Sequence, residues 1–200
     1  REYEVEKIRR DVRITTIYEG TSEIMQWTIG RDRWRTHLQG RGEYYQKMAA
    51  SLEGLHREAP LVGADVAALA VRAVYEATER ARLGRLTRNS HVLFRLGEIM
   101  ARVEVAAIFC RTAAGRTTSA YQAHFAPAAI QAMARIFARE TALDVTGEAM
   151  RWIVGAEGGA EPAELLAALD VARVNASCRG LLADMDIVAR AAVDQDAASA

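Results

Sequence analysis

The chain has 200 residues, half of them hydrophobic, with 26 Lys and Arg against 26 Asp and Glu. That length allows one large domain, or one domain with part of another, and the apolar share can fill a sizeable core. The balanced charge argues against a nucleic-acid binder, because phosphate partners require a surplus of basic side chains. The sequence contains no run of about 18 apolar residues, so no membrane span is predicted. With no apolar leader either, we expect a cytoplasmic protein of bacterial type, and peripheral membrane association stays open.

The first 40 residues are predicted to form two helices joined by an extended link. An apolar stripe indicates a helix over residues 2–13. The β-branched and aromatic run at 14–18 disfavours its continuation. Gly20 ends the link, and Thr21 or Ser22 is predicted to cap a second helix that extends to about residue 38. Glu23, in the first turn of that helix, suits the positive end of the helix dipole.

The remaining chain is predicted to be entirely helical. A third helix is expected near 43–57, and Pro60 and Gly63 then mark a boundary between a first region, 1–60, and a second, 61–200. Apolar residues spaced alternately three and four apart predict four long helices, over 65–84, 88–114, 125–154 and 163–193. Short connections between such helices are typical of an antiparallel four-helix bundle. The predicted fold class is therefore all-α.

The sequence gives little indication of a metal site or of a disulfide. Helical bundles can hold two metal ions through pairs of Glu-x-x-His motifs, but this chain has one such pair, Glu53 and His56. No metal site is therefore expected. Cys110 and Cys178 lie far apart within apolar helical patterns. We expect reduced core thiols there, with a disulfide as the alternative.

Two further groups of residues have a structural and a functional interpretation. Four aromatic side chains could form a ligand surface, although packing between helices is favoured: Trp27, Trp34, Tyr44 and Tyr45. Four arginines form a local basic cluster, which we interpret as a solvated helix end: Arg80, Arg82, Arg85 and Arg88. No phosphate-loop, zinc or Ser/His/Asp pattern accompanies them.

The stretch with the most chemical content lies near the start of the chain. It contains Arg9-Arg10-Asp11-Val12-Arg13-Ile14, followed by Ile17-Tyr18-Glu19-Gly20-Thr21-Ser22-Glu23-Ile24. This stretch resembles the C-terminal motif of the acyl-CoA dehydrogenases, in which a helix ends in a basic-Asp-x-basic-Ile pattern and a Tyr-Glu-Gly-Thr-x-x-Ile link follows. The resemblance covers about the first 35 residues. The helical remainder is similar in position to the domain appended in very-long-chain-type members.

The resemblance implies a site and a reaction. Glu19 corresponds to the base that removes the α-proton of an acyl-CoA thioester, and the β-hydrogen leaves as hydride to N5 of FAD. Tyr18 and Gly20 correspond to residues that line the thioester site. The residues implied to contact the FAD are Thr21, Ser22 and Glu23. Such a base works best when desolvation raises its pKa, to which Ile17 and Tyr18 could contribute.

The family also implies partners and a restriction. Its substrate is an acyl-CoA, electron-transfer flavoprotein is the expected acceptor, and a homodimer is the expected assembly. Family members enclose the flavin between helical and β-domains, so we expect these 200 residues alone to bind FAD weakly or not at all and to be inactive. One alternative is a helical oligomerisation or docking module without catalysis. In a second alternative, Glu19 is a helix-terminal acid with no catalytic task.

Overall fold

The structure is a computed structural model that describes residues 4–18, 20–117, 124–156 and 160–198. Within these residues the regular structure consists of α-helices and short 3-10 turns, without a β-strand, which confirms the all-α prediction. The helices are α1 (Val5–Arg13), α2 (Ser22–Gln39), α3 (Glu43–Glu58), α4 (Ala64–Leu83), α5 (Ser90–Ala113), α6 (Pro127–Val154), α7 (Pro162–Ala168), α8 (Val171–Ser177) and α9 (Leu181–Ala198). None of the helices in this part of the chain combines the length and the apolar character needed to cross a membrane.

Helices α4, α5 and α6 form the centre of the bundle. The antiparallel pairing of α5 with α6 is seen in two contacts near its opposite ends. The Phe109 and Phe137 rings lie 6.1 Å apart, and Arg95 donates to Glu148 at 2.9 Å. Seven of the buried residues on α4 are alanines, whose small side chains let the neighbouring helices approach closely.

The other long helices pack around this centre. Helix α3 lies on α4, α2 on α5, and α9 on α6. The buried core continues across residue 60, since Leu52 and Leu55 of α3 belong to the same cluster as Val62 and the residues of α4. The division into regions 1–60 and 61–200 remains a prediction.

The single helix predicted over 163–193 is wrong, because the chain there forms α7, α8 and α9. The breaks occur at Asp170 and Gly180, whose φ angles of +51° and +81° lie in the left-handed region. Arg139 stabilises the second break. Its largely buried guanidinium donates to the carbonyl oxygens of Ser177 and Arg179, at 2.7 and 3.2 Å. Apolar spacing continues across both breaks, so the pattern alone could not reveal them.

Asp184 completes the contact between α6 and α9. Its buried carboxylate accepts hydrogen bonds from both Arg135 and Arg139. Burial by itself would raise the pKa of Asp184, but these two guanidinium groups outweigh that effect and lower it. The buried Asp184 and Arg139 and the partly buried Arg135 therefore form one network of charges that holds α9 against the bundle.

Both cysteines are free thiols. Cys110 is buried on α5, as predicted, and burial is the main cause that raises its pKa to about 12. Cys178 is only half-buried, at the end of α8. The aromatic residues mostly pack, as expected: Tyr45 is buried in the core, and Trp34 and Tyr44 lie against it. Trp27 is more exposed, and the Arg31 guanidinium lies 4.6 Å from its ring centroid.

Candidate functional site

The link before α2 begins where two threonines end the first helix. Thr15 and Thr16 donate side-chain hydrogen bonds to the carbonyl oxygens of Val12 and Arg13, at 2.6 and 2.9 Å. These bonds draw the last turn of α1 into a 3-10 turn over Ile14–Thr16. The backbone N–H of Tyr18 still reaches back to the Ile14 carbonyl, at 3.0 Å. The run at 14–18 therefore does not form the predicted extended link, because the threonine side chains and these backbone hydrogen bonds keep it in a tight turn.

Glu19, the predicted base, lies outside the described residues, but both of its neighbours are described. Tyr18 is 52% exposed. Gly20 has a φ of +118°, a conformation that side-chain-bearing residues rarely adopt. A Cβ atom there would meet nothing closer than 3.6 Å, so the backbone angle, rather than space, favours glycine. The link thus makes a sharp turn at its predicted substrate-binding glycine.

The start of α2 satisfies its own hydrogen bonds. Of the two predicted caps, Thr21 and Ser22, Thr21 is the N-cap, and its hydroxyl oxygen accepts from the backbone N–H of Ile24 at 3.3 Å. The Glu23 carboxylate is fully exposed. A hydrogen bond from its own backbone N–H, and a second from Thr21, lower the pKa of Glu23. Ser22, the first residue of the helix, is also exposed.

The predicted site residues of the link and of α2 therefore lie close together because they are neighbours in the chain. Those that the structure describes lie at the surface. Ile17 and Tyr18, which were expected to help desolvate the base, are each about half exposed. Within the described residues, no side chain of α1 or of its 3-10 turn is buried. The catalytic, substrate-binding and cofactor-binding roles of this segment remain predictions.

A close helix crossing, which the sequence interpretation missed, anchors this segment to the bundle. Helix α2 crosses α5 at Gly30 and Gly97. A Cβ atom added to Gly97 would lie 2.0 Å from the Gln26 carbonyl oxygen, and one added to Gly30 would lie 2.7 Å from the Leu93 carbonyl oxygen. The sequence feature that could have predicted this crossing is the pair of glycines, one in each helix. They are 67 positions apart, so local spacing does not connect them.

Polar contacts flank the crossing on both sides. Arg33 holds Glu104 with two hydrogen bonds, at 2.5 and 2.7 Å, a geometry that fixes orientation as well as distance. Gln26 donates to Glu98 at 3.2 Å, nearer the start of α2. The C-terminal part of α2 also contacts α4, where buried His37 pairs with Glu79 at 2.5 Å.

His37 belongs to a small polar cluster that was not predicted. Hydrogen bonds from Arg82, and next from His37, lower the pKa of Glu79 against the effect of its partial burial. The His37 ring stacks on Trp34, with centroids 6.4 Å apart, and approaches Tyr75 at 5.8 Å. The cluster lines a shallow cavity of about 350 Å³. Its contacts hold the C-terminal part of α2 against α4.

The one candidate metal-binding pair, Glu53 and His56, makes other contacts. Glu53 pairs with Arg72, and His56 lies 3.5 Å from Asp65. Among residues 4–18, 20–117, 124–156 and 160–198, no group of three His, Cys, Asp or Glu side chains could hold a metal ion. The basic cluster is divided between two uses: Arg80 and Arg82 are engaged in ion pairs, whereas Arg85 and Arg88 border a cavity.

The described chain is thus a helical bundle that carries an exposed turn and helix start at its N-terminal end. Residues 1–33 match the family model described as the acyl-CoA dehydrogenase, C-terminal domain. The match points to the acyl-CoA dehydrogenases, a family of oxidoreductases. The matched range ends within α2 at Arg33, the residue that pairs with Glu104, and just after Gly30 of the helix crossing. Comparison with curated proteins and with solved structures found no match.

Proposed function

We propose that the chain is the C-terminal part of an FAD-dependent acyl-CoA dehydrogenase, in which Glu19 is the base and residues 61–200 form an appended helical domain. The observation that carries this proposal is the family match over residues 1–33, which includes α1, the link and most of the first helix that touches the bundle. The Tyr-Glu-Gly-Thr sequence lies within that matched range.

The exposed apolar side chains of the same segment support the proposal. On α1, Val5, Ile8 and Val12 are between 52% and 68% exposed, and they recur at helical spacing along one stripe. An amphipathic helix gains its stability from burying such a stripe. The stripe therefore suits a helix that completes a larger helical domain, as the family match implies.

The chemistry follows from the groups in the link. In the proposed reaction the Glu19 carboxylate takes the α-proton of the thioester, and the β-hydrogen leaves with its electron pair. The electrons of the α C–H bond then form the new α,β double bond. FAD supplies the hydride acceptor. A base of this kind needs a pKa above its usual value, so the half-exposed Ile17 and Tyr18 would have to be covered by substrate or by other parts of the enzyme.

The residues at the start of α2 fit a flavin if the Glu23 side chain moves. The positive end of a helix favours an electron-rich or anionic group. Here the Glu23 side chain and Thr21 already satisfy one another, so a cofactor at this position would displace the Glu23 carboxylate. That side chain is fully exposed and can rotate away at little cost. In the proposal, Ser22 and Thr21 then contact the cofactor.

The decisive experiment uses the full-length parent enzyme. Glu19→Gln keeps the size of the side chain but removes its basicity, so we expect FAD to stay bound while acyl-CoA no longer bleaches the flavin. Glu43→Gln, an exposed glutamate paired with Lys47 on α3, serves as the control and should bleach normally. Bleaching at the normal rate by the Glu19→Gln enzyme would show that the base lies elsewhere. The 200-residue chain by itself is expected to bind no stoichiometric FAD.

The family resemblance also supports proposals about partners: an acyl-CoA substrate, electron-transfer flavoprotein as acceptor, a homodimer and a cytoplasmic location. A second candidate function, helical oligomerisation without catalysis, is favoured by Val105 and Ile108. These two residues lie three positions apart on α5 and are 48% and 55% exposed. If they form a subunit contact, Ile108→Glu should halve the mass measured by sedimentation. An unchanged mass would exclude this contact.

A further inference from the structure

A cavity of about 740 Å³ lies where the start of α5 meets the end of α6. Its volume is within the range of small-molecule sites in proteins. Four arginines line it, Arg85, Arg88, Arg95 and Arg151, and Glu148 is the one carboxylate among its lining residues. The local charge is therefore strongly positive in a chain whose net charge is zero.

Two of the arginines are already committed to that carboxylate. Arg95 donates to Glu148 at 2.9 Å and to Glu98 at 2.5 Å, and Arg151 donates to Glu148 at 2.5 Å. The Arg95 hydrogen bond is the main cause that lowers the pKa of Glu148. This inner group fixes the floor of the cavity and keeps the Glu148 charge neutralised.

The other two arginines have no such partner. Among the described residues, the side chains of Arg85 and Arg88 form no ion pair or hydrogen bond. They come from the turn between α4 and α5, where Arg85 has a φ of +54°, which an arginine adopts only at a cost. The same turn presents the start of α5, with Asn89 as its cap. Both unpaired guanidinium groups therefore belong to the wall of one cavity.

Trp152 supplies an independent observation. Its side chain lines the cavity and is 6% exposed. Its indole Nε1 is buried and has no hydrogen-bond partner in the part of the chain that the structure describes. A buried donor without an acceptor is costly, so such a group is usually satisfied by water or by a ligand. Indole N–H is a donor only, and it suits the oxygen of an anion.

We propose that this cavity binds a small organic phosphate, whose phosphate or pyrophosphate group pairs with Arg85 and Arg88 and accepts a hydrogen bond from Trp152. Arginine forks match phosphate oxygens in pairs, which favours this anion over a monovalent halide. Leu86 and Val92 line the same cavity and offer an apolar wall to the organic part. A concave site of this size favours a soluble ligand over the flat surface of a membrane.

The test is titration of the 200-residue chain with pyrophosphate and with ADP, followed by the indole N–H resonances. The three tryptophans give three such signals, and Trp152→Phe assigns the one of interest. We expect saturable shifts of the Trp152 signal. The double variant Arg85→Gln/Arg88→Gln should weaken binding about tenfold or more, since it removes charge-assisted hydrogen bonds to the anion. Arg35→Gln/Arg190→Gln, which removes two exposed charges elsewhere, should leave the affinity unchanged.

Three outcomes would overturn the proposal. One is a Trp152 signal that fails to saturate, or that sodium sulfate at equal ionic strength shifts equally. Another is equal weakening by both double variants, which would indicate attraction by overall charge. The third is binding to phosphatidic acid vesicles, but not to pyrophosphate or ADP, which would assign the arginines to a membrane surface. None of these measurements depends on flavin or on acyl-CoA, so the result stands apart from the proposed enzyme activity.

Discussion

The substitution Gly97→Ala is expected to separate the family-matching helix α2 from the bundle. A Cβ atom at position 97 would lie 2.0 Å from the Gln26 carbonyl oxygen and 2.9 Å from the Gly30 nitrogen, whereas real Cβ atoms almost never approach closer than 3.0 Å. Both obstacles are backbone atoms, which cannot rotate aside as a side chain can. The helices would have to separate by about 1 Å, which weakens their packing and the flanking Arg33–Glu104 pair.

The magnitude follows from two opposing effects. Overpacking a close contact costs about 1–3 kcal/mol, and the short distances here favour the upper end. Alanine is a better helix former than glycine by about 1 kcal/mol, which offsets part of the loss. We therefore expect a net destabilisation of about 2 kcal/mol. For a chain of this size the melting temperature falls by about 2–4 °C per kcal/mol.

Gly147 offers a matched control for this substitution. It also lies inside a helix, α6, but an added Cβ atom would meet nothing within 4 Å. Gly147→Ala should therefore show the gain in helix propensity alone, with a slightly raised melting temperature. The difference between the two variants then isolates the cost of the crossing between α2 and α5.

The assay combines thermal unfolding, followed by circular dichroism, with hydrogen exchange resolved by residue. In Gly97→Ala, the amides of α2 should lose protection more than those of α4 and α6, because α2 is the helix displaced. If Gly97→Ala instead raised the melting temperature as Gly147→Ala does, or left α2 protection unchanged, the close crossing would not exist in solution and the anchoring argument would fail.

Three further predictions concern α9, acid stability and α1. Asp184→Asn leaves the buried Arg139 guanidinium and the partly buried Arg135 guanidinium without their counter-charge, so α9 amides should lose protection at a cost of about 3–5 kcal/mol, whereas Asp186→Asn on the exposed side should have little effect. Because the folded state lowers the pKa of Asp184, its stabilisation is present above the ordinary value of 3.8 and is lost as the pH falls below it. An acid titration of α9 protection should show this loss, and equal acid sensitivity of Asp184→Asn would contradict it. Ile8→Asp should change the melting temperature of this chain by less than about 1 °C, since Ile8 is 56% exposed, whereas Ile99→Asp in the core should unfold it.

The helical fold was largely predictable because it depends on local patterns. Apolar spacing located α2 to α6 to within a few residues, and the cap of α2 was predicted to be Thr21 or Ser22, of which Thr21 is the N-cap. The breaks around α8 were missed because a distant side chain, Arg139, satisfies the carbonyl groups at the second break and the apolar spacing continues across both. The sequence around the break does not indicate that a distant side chain will bind its carbonyl groups.

Predictability of the site was limited for a different reason. The Tyr-Glu-Gly-Thr motif identified a chemical group and a link that ends at Gly20, but it did not predict the 3-10 turn over Ile14–Thr16 or the positive φ of Gly20. The crossing at Gly30 and Gly97, the pairing of His37 with Glu79 and the cavity beside Trp152 each join helices that are far apart in the chain. Contacts of this kind arise from packing, and helical periodicity does not report them.

The crossing of α2 over α5 has a consequence for synthesis on the ribosome. Helix α2 ends at Gln39, but the helix that holds it is complete only at Ala113. Synthesis proceeds at about 5–20 residues per second, so about 4–15 s pass between the completion of α2 and the completion of α5. During that interval the apolar residues of the family-matching segment are open to chaperones and to other nascent chains. Slower translation between these two helices would lengthen the exposure, and would be expected to lower the yield of correctly assembled protein without altering any residue.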